Sequence, residues 1–311
     1  MAKVSIVGSG NVGATSALYI AEKRIADVVL IDLVEGLARG KALDAIEAAP
    51  LRQYDTWIDG EVDFSKMENS DVVVVTAGKA RTPGMSRDDL LQINAKIIKS
   101  VAEEIERYAP NAILVMVTNP LDVMCYVALK TTGFALKRVV GMAGVLDSTR
   151  FRYFLAAEMG VNVADTTALV LGGHGDSMVP LSRYTTVCGI PIPELLSKDT
   201  IDKLVERTRK GGAEIVSYLK SGSAFWAPAA AVAEMVECVV RDKKRILPCS
   251  AYLRGEYGIE GLFIGVPIKL GQNGVEQIIE LSLTEEEKEA LNQSAASVKT
   301  IIEKLEELRI I

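Results

Sequence analysis

The sequence contains very few of the residues that bind metal ions or form disulfides. One histidine and four cysteines occur in 311 residues, and no two cysteines form a CxxC pair. Because zinc sites usually need several Cys or His ligands at close spacing, we expect no metal site. The cysteines are predicted to be buried, reduced packing residues of a cytoplasmic protein. They are Cys125, Cys188, Cys238 and Cys249.

Long apolar runs and an excess of positive charge are also lacking. No apolar stretch reaches the roughly 18 residues expected of a transmembrane helix, and the chain opens on a strand pattern rather than a signal peptide. A net charge of −6 disfavours nucleic acid as a partner, since phosphates attract basic surfaces. We therefore expect neither a membrane nor a nucleic-acid partner, and an anionic substrate would need a local positive pocket.

The sequence does contain an alternating order of elements in its first half. Short, continuous apolar runs are separated by helical patterns, as in parallel strands that are covered on both faces. This order predicts an α/β fold with a doubly wound parallel sheet. Strands are predicted at 4–7, 28–31, 72–76, 113–117 and 138–140, and helices at 11–22, 36–48 and 87–108.

The order of predicted strands and helices changes in the second half, and this change indicates a separate domain. Strands are predicted at 166–171, 185–188 and 262–266, with long helices at 198–221 and 224–240. This mixture indicates an α+β domain packed on the first, so we predict domains at 1–142 and 143–311. The last helix is marked by a capping box of Thr284 and Glu287.

A glycine-rich turn follows the first predicted strand. In GSGNVG, Gly8, Gly10 and Gly13 have GxGxxG spacing, which lets the backbone approach a pyrophosphate at a helix N-terminus. Such a turn alone is often only a turn, but here the next strand ends in Asp32. That carboxylate can bind both adenosine ribose hydroxyls and, with Glu35 nearby, would repel a 2′-phosphate. The pattern predicts NAD rather than NADP, although Asp32 could instead cap the next helix.

Imidazole chemistry in this chain can come only from His174, in LGGHGDSMVP. A lone histidine is commonly structural, but its ordinary pKa suits proton transfer near neutral pH. In GVLDSTR, Asp147 and Arg150 are spaced to share one helix face. They form either a surface ion pair with a helix cap, or a functional pair. In the functional case, Asp147 orients His174 while Arg150 holds a substrate carboxylate.

Two further segments follow predicted parallel strands, where such sheets bind ligands. GKARTPGMSRDDL carries Arg81 and Arg87 around a Pro–Gly turn, and the loop could close over an anion or be a solvated basic loop. VTNP places Asn119 at the end of the next strand. There it could contact both substrate and nicotinamide, or simply form a turn.

Together these motifs resemble the lactate/malate dehydrogenase family over essentially the whole chain. The resemblance implies a Rossmann NAD-binding domain followed by a substrate-binding domain. His174 would donate or accept the proton with Asp147 as its partner, and Arg87 would polarise the keto group. Arg150 would anchor a carboxylate, and Asn119 would contact substrate and cofactor. The expected cofactor-binding residues are Gly8, Ser9, Gly10, Asn11, Val12, Gly13, Asp32, Asn94, Val117, Thr118 and Asn119.

The expected substrate depends on Arg81. Family members that act on lactate typically carry glutamine at this place, and those that act on malate carry arginine. A second carboxylate is costly in a closed site unless it is paired, so the arginine favours malate and oxaloacetate by roughly tenfold to a hundredfold. SGSAFWAPAAA, which begins at Ser221, resembles the lactate dehydrogenase-like branch of the malate-active members.

Other functions stay open from the sequence. A lactate dehydrogenase or another 2-hydroxy acid dehydrogenase is the nearest alternative. NAD- and metal-dependent glycosidases have a similar dinucleotide domain, but they need a Cys/His metal site, and no cysteine adjoins Asn119. A silent NAD-binding protein is a third alternative. The resemblance also implies a homotetramer or homodimer.

Overall fold

A parallel sheet forms the first half of the molecule. The computed structural model describes residues 1–79 and 87–310, without the side chain of Arg87. Neighbouring strands in this part of the sheet are parallel, in the order β6-β5-β4-β1-β2-β3. They are β1 (Lys3–Val7), β2 (Asp27–Ile31), β3 (Ile58–Glu61), β4 (Val72–Val75), β5 (Ile113–Met116) and β6 (Val139–Gly141).

Helices connect these strands, which confirms the predicted doubly wound fold. They are α1 (Asn11–Glu22), α2 (Leu37–Arg52), α3 (Arg87–Tyr108), α4 (Leu121–Thr132) and α5 (Gly144–Met159). All four valines of β4 are buried, as expected for a central parallel strand covered by helices on both faces. The carboxyl ends of β1, β2, β4 and β5 therefore meet at one edge of the sheet, where the predicted cofactor residues lie.

The second half adds short strands, helices and a long antiparallel hairpin. The short strands are β7 (Thr166–Thr167), β8 (Val170–Leu171), β9 (Val179–Pro180), β10 (Thr186–Val187) and β11 (Ile190–Pro191). The later elements are α6 (Lys198–Leu219), α7 (Trp226–Val240), β12 (Arg245–Arg254), β13 (Glu260–Gly271), β14 (Gly274–Ile278) and α8 (Glu285–Glu307). The predicted capping box of Thr284 and Glu287 begins α8.

The main sheet is continuous across the predicted domain boundary. Strand β12 pairs antiparallel with β6 through Ser250 and Gly141, and β13 and β14 extend the same sheet. A Cβ at Gly141 would lie 2.8 Å from the Ser250 Cβ and from Cys125 Sγ. The missing side chain therefore lets the two halves of the sheet meet at close range.

The structure differs from the sequence expectations at several places, among them β3 and β14, which were not predicted. The strand predicted at 166–171 is two short strands, because β7 pairs with β10 whereas β8 pairs with β9. Strand β12 was not predicted, since Pro248 cannot donate to a ladder and weakens the strand pattern. Cys188 is exposed rather than buried, because it lies in the turn after β10 with φ of 49°. The other cysteines are buried.

Candidate active site

The glycine turn between β1 and α1 is shaped by close packing on one side and open space on the other. Gly8 has φ of +103°, and a Cβ there would lie 2.5 Å from the main-chain nitrogen of Ala77. A Cβ at Gly13 would lie 1.9 Å from the Gly8 carbonyl oxygen. In contrast, a Cβ at Gly10 would meet no atom of the described residues within 4 Å. The turn therefore packs tightly at Gly8 and Gly13, and it leaves open space at Gly10, where α1 begins.

The start of α1 fits the pyrophosphate of a dinucleotide. Gly10 is the N-cap, and no side chain caps the helix. The amide groups of its first turn, at Asn11, Val12 and Gly13, lie where a helix N-terminus attracts an anion. Ser9 Oγ is buried and has no hydrogen-bond partner within the described part of the chain. These are the features of a site whose polar partner is a ligand.

Asp32 follows β2 and is tied to the glycine turn. Its Oδ2 accepts a hydrogen bond from the main-chain nitrogen of Ser9 at 2.7 Å, and its Oδ1 accepts one from Val34 at 3.0 Å. The N-cap of α2 is Gly36, so the alternative in which Asp32 caps that helix is wrong. The carboxylate is half-buried beside the turn, where a ribose would follow a bound pyrophosphate.

Turns after β4 and β5 form the rest of this edge. Thr118 Oγ1 donates to the Ala77 carbonyl at 2.7 Å and follows Val117. Asn94 is buried; its Oδ1 accepts from the Lys79 main chain at 2.8 Å, and its Nδ2 donates to the Asn119 carbonyl at 2.8 Å. Asn94 thus joins the two turns, while the side chain of Asn119 is on the exposed surface.

His174 and Asp147 form a hydrogen-bonded pair. The ring Nδ1 lies 2.8 Å from Asp147 Oδ2, and the Asp147 side chain is only 2% exposed. Asp147 lies inside α5, whose N-cap is Ala143, so it is neither a cap nor part of a surface ion pair. The structure therefore brings together two residues that are 27 positions apart and that the sequence predicted to act together.

Arg150 completes this cluster one helical turn after Asp147. Its Nη1 lies 3.4 Å from Asp147 Oδ1, and Nε is buried without a partner among the described residues. The guanidinium lies along α6 beside Gly211 and Gly212, where a Cβ at Gly211 would lie 3.2 Å from Arg150 Cδ. The two glycines thus leave room for a cation with unused hydrogen-bond donors.

Burial and charge act in opposite directions on this cluster. Burial opposes protonation of His174, but the charge of Asp147 and its hydrogen bond outweigh that cost, so the pKa of His174 is raised. Burial lowers the pKa of Arg150, which Asp147 partly offsets. The imidazolium form of His174 is therefore favoured next to a buried carboxylate.

Sequence reasoning missed Asp122 and Ser250, which lie directly beside His174. Asp122 Oδ2 accepts from the His174 main-chain nitrogen at 2.9 Å, and Oδ1 accepts from Ser250 Oγ at 2.6 Å. The sequence signal was weak, because an acidic residue in the first turn of a helix is common. Its proximity to the VTNP turn was the one feature that could have singled it out.

Other predicted features fall outside this geometry. Arg81 and the side chain of Arg87 lie outside the described residues. In the part of the chain that is described, no group of three or more His, Cys, Asp or Glu residues could hold a metal ion. None of the helices in the described ranges is long and apolar enough to span a membrane.

Comparison with known proteins identifies the family. A family model for the lactate/malate dehydrogenase NAD-binding domain matches residues 2–141, and one for the lactate/malate dehydrogenase alpha/beta C-terminal domain matches residues 144–309. A malate dehydrogenase of Chlorobium limicola is 58% identical over 298 residues, which cover 96% of each chain.

Solved structures of malate dehydrogenases and of lactate dehydrogenases share this fold. The malate dehydrogenase of Picrophilus torridus in its apo form has a TM-score of 0.96 and 50% identity over 98% of each chain. A lactate dehydrogenase of Cryptosporidium parvum, complexed with lactic acid and nicotinamide adenine dinucleotide, has a TM-score of 0.95 and 42% identity over 98% of each chain. The backbone therefore does not distinguish the two substrates. The chain belongs to the lactate/malate dehydrogenase family, whose N-terminal domain binds NAD.

Proposed function

We propose that this chain is an NAD-dependent malate dehydrogenase that interconverts malate and oxaloacetate. The buried His174–Asp147 pair beside Arg150 is the observation that carries the reaction type. It joins a group that can exchange a proton near neutral pH to a cation that can bind a carboxylate. The substrate assignment is supported by Arg81 and by relatives named malate dehydrogenase at 53–58% identity.

The glycine turn and its neighbours are the residues that would hold NAD. Main-chain groups from Gly8 to Gly13 would hold the pyrophosphate, and Asp32 would bind the adenosine ribose. Because the Asn94 amide is engaged with main-chain groups of the protein, it acts on the cofactor by fixing the turns that carry Val117, Thr118 and Asn119. When bound, NADH supplies the hydride.

His174 moves the proton. Its Nδ1 is engaged by Asp147, so Nε2 is the atom that donates to the keto oxygen of oxaloacetate. In the reverse direction, neutral His174 accepts the hydroxyl proton of malate at the same atom. Reduction needs the imidazolium, so its kcat/KM falls as pH rises through the pKa of His174, whereas that of malate oxidation rises. Asp147 extends the range of reduction upward by raising that pKa.

Arginines bind the two ends of the substrate. Arg150 holds the carboxylate next to the keto group, since its Nε is buried and without a partner among the described residues. Arg87 polarises the keto oxygen, Asn119 contacts the substrate and the cofactor, and Arg81 pairs with the far carboxylate. With pyruvate, Arg81 would be desolvated without a partner, so it selects for one substrate and against the other.

The function is tested by measuring NADH consumption with oxaloacetate and pyruvate. We expect kcat/KM for oxaloacetate to exceed that for pyruvate by about a hundredfold or more. Arg81→Gln should lower this ratio by roughly tenfold to a hundredfold. Lys79→Gln makes the same charge change nearby and should leave the ratio nearly unchanged. Preference for pyruvate in the unmodified enzyme would refute the assignment, and an unchanged ratio in Arg81→Gln would refute the role of that arginine.

We also infer an oligomer, either a homotetramer or a homodimer. Large apolar side chains are exposed on and near α2, at Leu43, Leu51 and Trp57, and at Trp226 at the start of α7. Exposed apolar side chains of this kind often mark contact surfaces. Light scattering coupled to size exclusion tests this inference, and a monomer at micromolar concentration would contradict it.

Two further assignments belong to this proposal. A boundary at 142/143 separates the cofactor part from the substrate part, although one sheet runs through both. A cytoplasmic location is supported by the free state of all four cysteines, which suits a reducing compartment.

A further inference from the structure

Asp122 is a buried carboxylate that the proton transfer described above does not use. It lies in the first turn of α4 and is 4% exposed. Its two oxygens accept hydrogen bonds from the main-chain nitrogen of His174 and from Ser250 Oγ, at 2.9 and 2.6 Å. Burial raises the pKa of Asp122, while these two donors and the positive charge of a protonated His174 act in the opposite direction and favour the ionised carboxylate.

His174 is thus held by two carboxylates at different places. Asp147 contacts the ring, and Asp122 contacts the main chain. The loop around His174 has little regular structure, since Gly172 and Gly175 both have positive φ. Besides Asp122, a hydrogen bond from the nitrogen of Gly173 to Ser294 Oγ at 2.7 Å anchors this loop. Asp122 therefore fixes the segment from which the imidazole projects.

The same carboxylate connects His174 to the cofactor side of the site. Asp122 follows Asn119 by three residues, at the turn where β5 leads into α4. The carbonyl of Asn119 is in turn held by Asn94 at 2.8 Å. A shift of this turn would therefore move the catalytic loop and the proposed nicotinamide contact together.

The charges facing His174 give Asp122 a second effect. Among the described residues, Asp147 and Arg150 face it from α5 and Asp122 faces it from α4. One guanidinium balances one of the two carboxylates, so a protonated His174 brings this group of four close to neutrality. The second carboxylate therefore favours the form of His174 that donates a proton.

We propose that Asp122 is a positioning residue for His174, which fixes its main chain to the Asn119 turn and stabilises its protonated ring. The proposal deepens the proposed function, because it assigns the control of the same proton transfer. It predicts that the charge of Asp122 changes the proton affinity of His174, which a purely structural anchor would not do.

The test is the titration of His174 in Asp122→Asn. Because the chain has one histidine, selective 13C labelling of histidine in the untagged full-length protein gives a single imidazole signal. The asparagine oxygen can still accept from the His174 main-chain nitrogen, and its amide nitrogen can donate to Ser250 Oγ in place of the second bond. The charge is removed, so the midpoint of the titration should fall. The pH midpoints of oxaloacetate reduction and malate oxidation should fall with it, and reduction on the alkaline side should lose on the order of tenfold in kcat/KM.

Ser250→Ala and Asp55→Asn complete the experiment. Loss of the Ser250 donor weakens the hold on ionised Asp122, so the midpoint should fall by less than in Asp122→Asn. This variant decides the question if Asp122→Asn does not fold. Asp55 is exposed in a surface ion pair with Arg24, so Asp55→Asn makes the same charge change away from the site and should leave the midpoint unchanged.

An unmoved His174 midpoint in folded Asp122→Asn would overturn the proposal, even if the maximal rates fell. If Asp122→Asn does not fold, an unmoved midpoint in Ser250→Ala would overturn it. The titration needs no substrate, so its outcome is separate from the choice between malate and lactate. Failure of the substrate assay with a lowered midpoint would refute the proposed function and leave the role of Asp122 intact.

Discussion

The glycine turn and the His174 cluster are built by opposite means. At the turn, main-chain groups and the missing side chains of Gly8 and Gly13 create the site. Around His174, buried charged side chains are paired with one another. Substitutions at the turn should therefore reduce the available space and weaken cofactor binding. Substitutions in the cluster should change the local charge and lower turnover.

The largest expected effect is that of a substitution at His174, which should change turnover without changing cofactor binding. His174→Gln removes the titratable group while keeping a polar side chain, so turnover of oxaloacetate should fall about a thousandfold. NADH affinity, measured by fluorescence titration, should stay within about twofold, because the glycine turn is untouched. If turnover stayed above a tenth of its normal value, the acid–base role would be refuted.

A smaller effect should come from the glycine turn. The described protein has room for the new methyl group of Gly10→Ala, so the melting temperature should be unchanged. The methyl group fills the open space at the start of α1, where the cofactor is expected to bind, so NADH affinity should fall about tenfold. Gly13→Ala is the matched comparison. Its methyl group would collide with the Gly8 carbonyl, so thermal stability should fall as well. Unchanged NADH affinity in Gly10→Ala would show that the space is not used by the cofactor.

Local patterns predicted the cofactor half of the molecule well. Continuous apolar runs identified five of the six parallel strands but not β3, whose sequence IDGE is not an apolar run. The glycine spacing with Asp32 identified the turn after β1. These signals lie within a few residues of one another, because a strand, a turn and a helix N-terminus are consecutive in the chain. The expected contacts of each residue with NAD stay predictions.

The catalytic half of the molecule is formed by long-range contacts, which local sequence patterns do not reveal. His174 was singled out because it is the only histidine, and the spacing of Asp147 and Arg150 suggested a shared helix face. Asp122 and Ser250 are 128 residues apart and meet because β12 joins the parallel sheet at β6. The pairing of β12 with β6 was not predicted, because Pro248 interrupts the strand pattern and β12 itself was not predicted.

The most direct test of the proposed acid–base pair is the titration of His174 in Asp147→Asn. Asparagine keeps an acceptor for the ring but removes the negative charge, so burial should no longer be outweighed. We predict that the pKa of His174 falls below its ordinary value and that oxaloacetate reduction near neutral pH falls with it, while NADH still binds. A His174 midpoint equal to that of the unmodified protein would contradict the claim that this buried pair controls the proton.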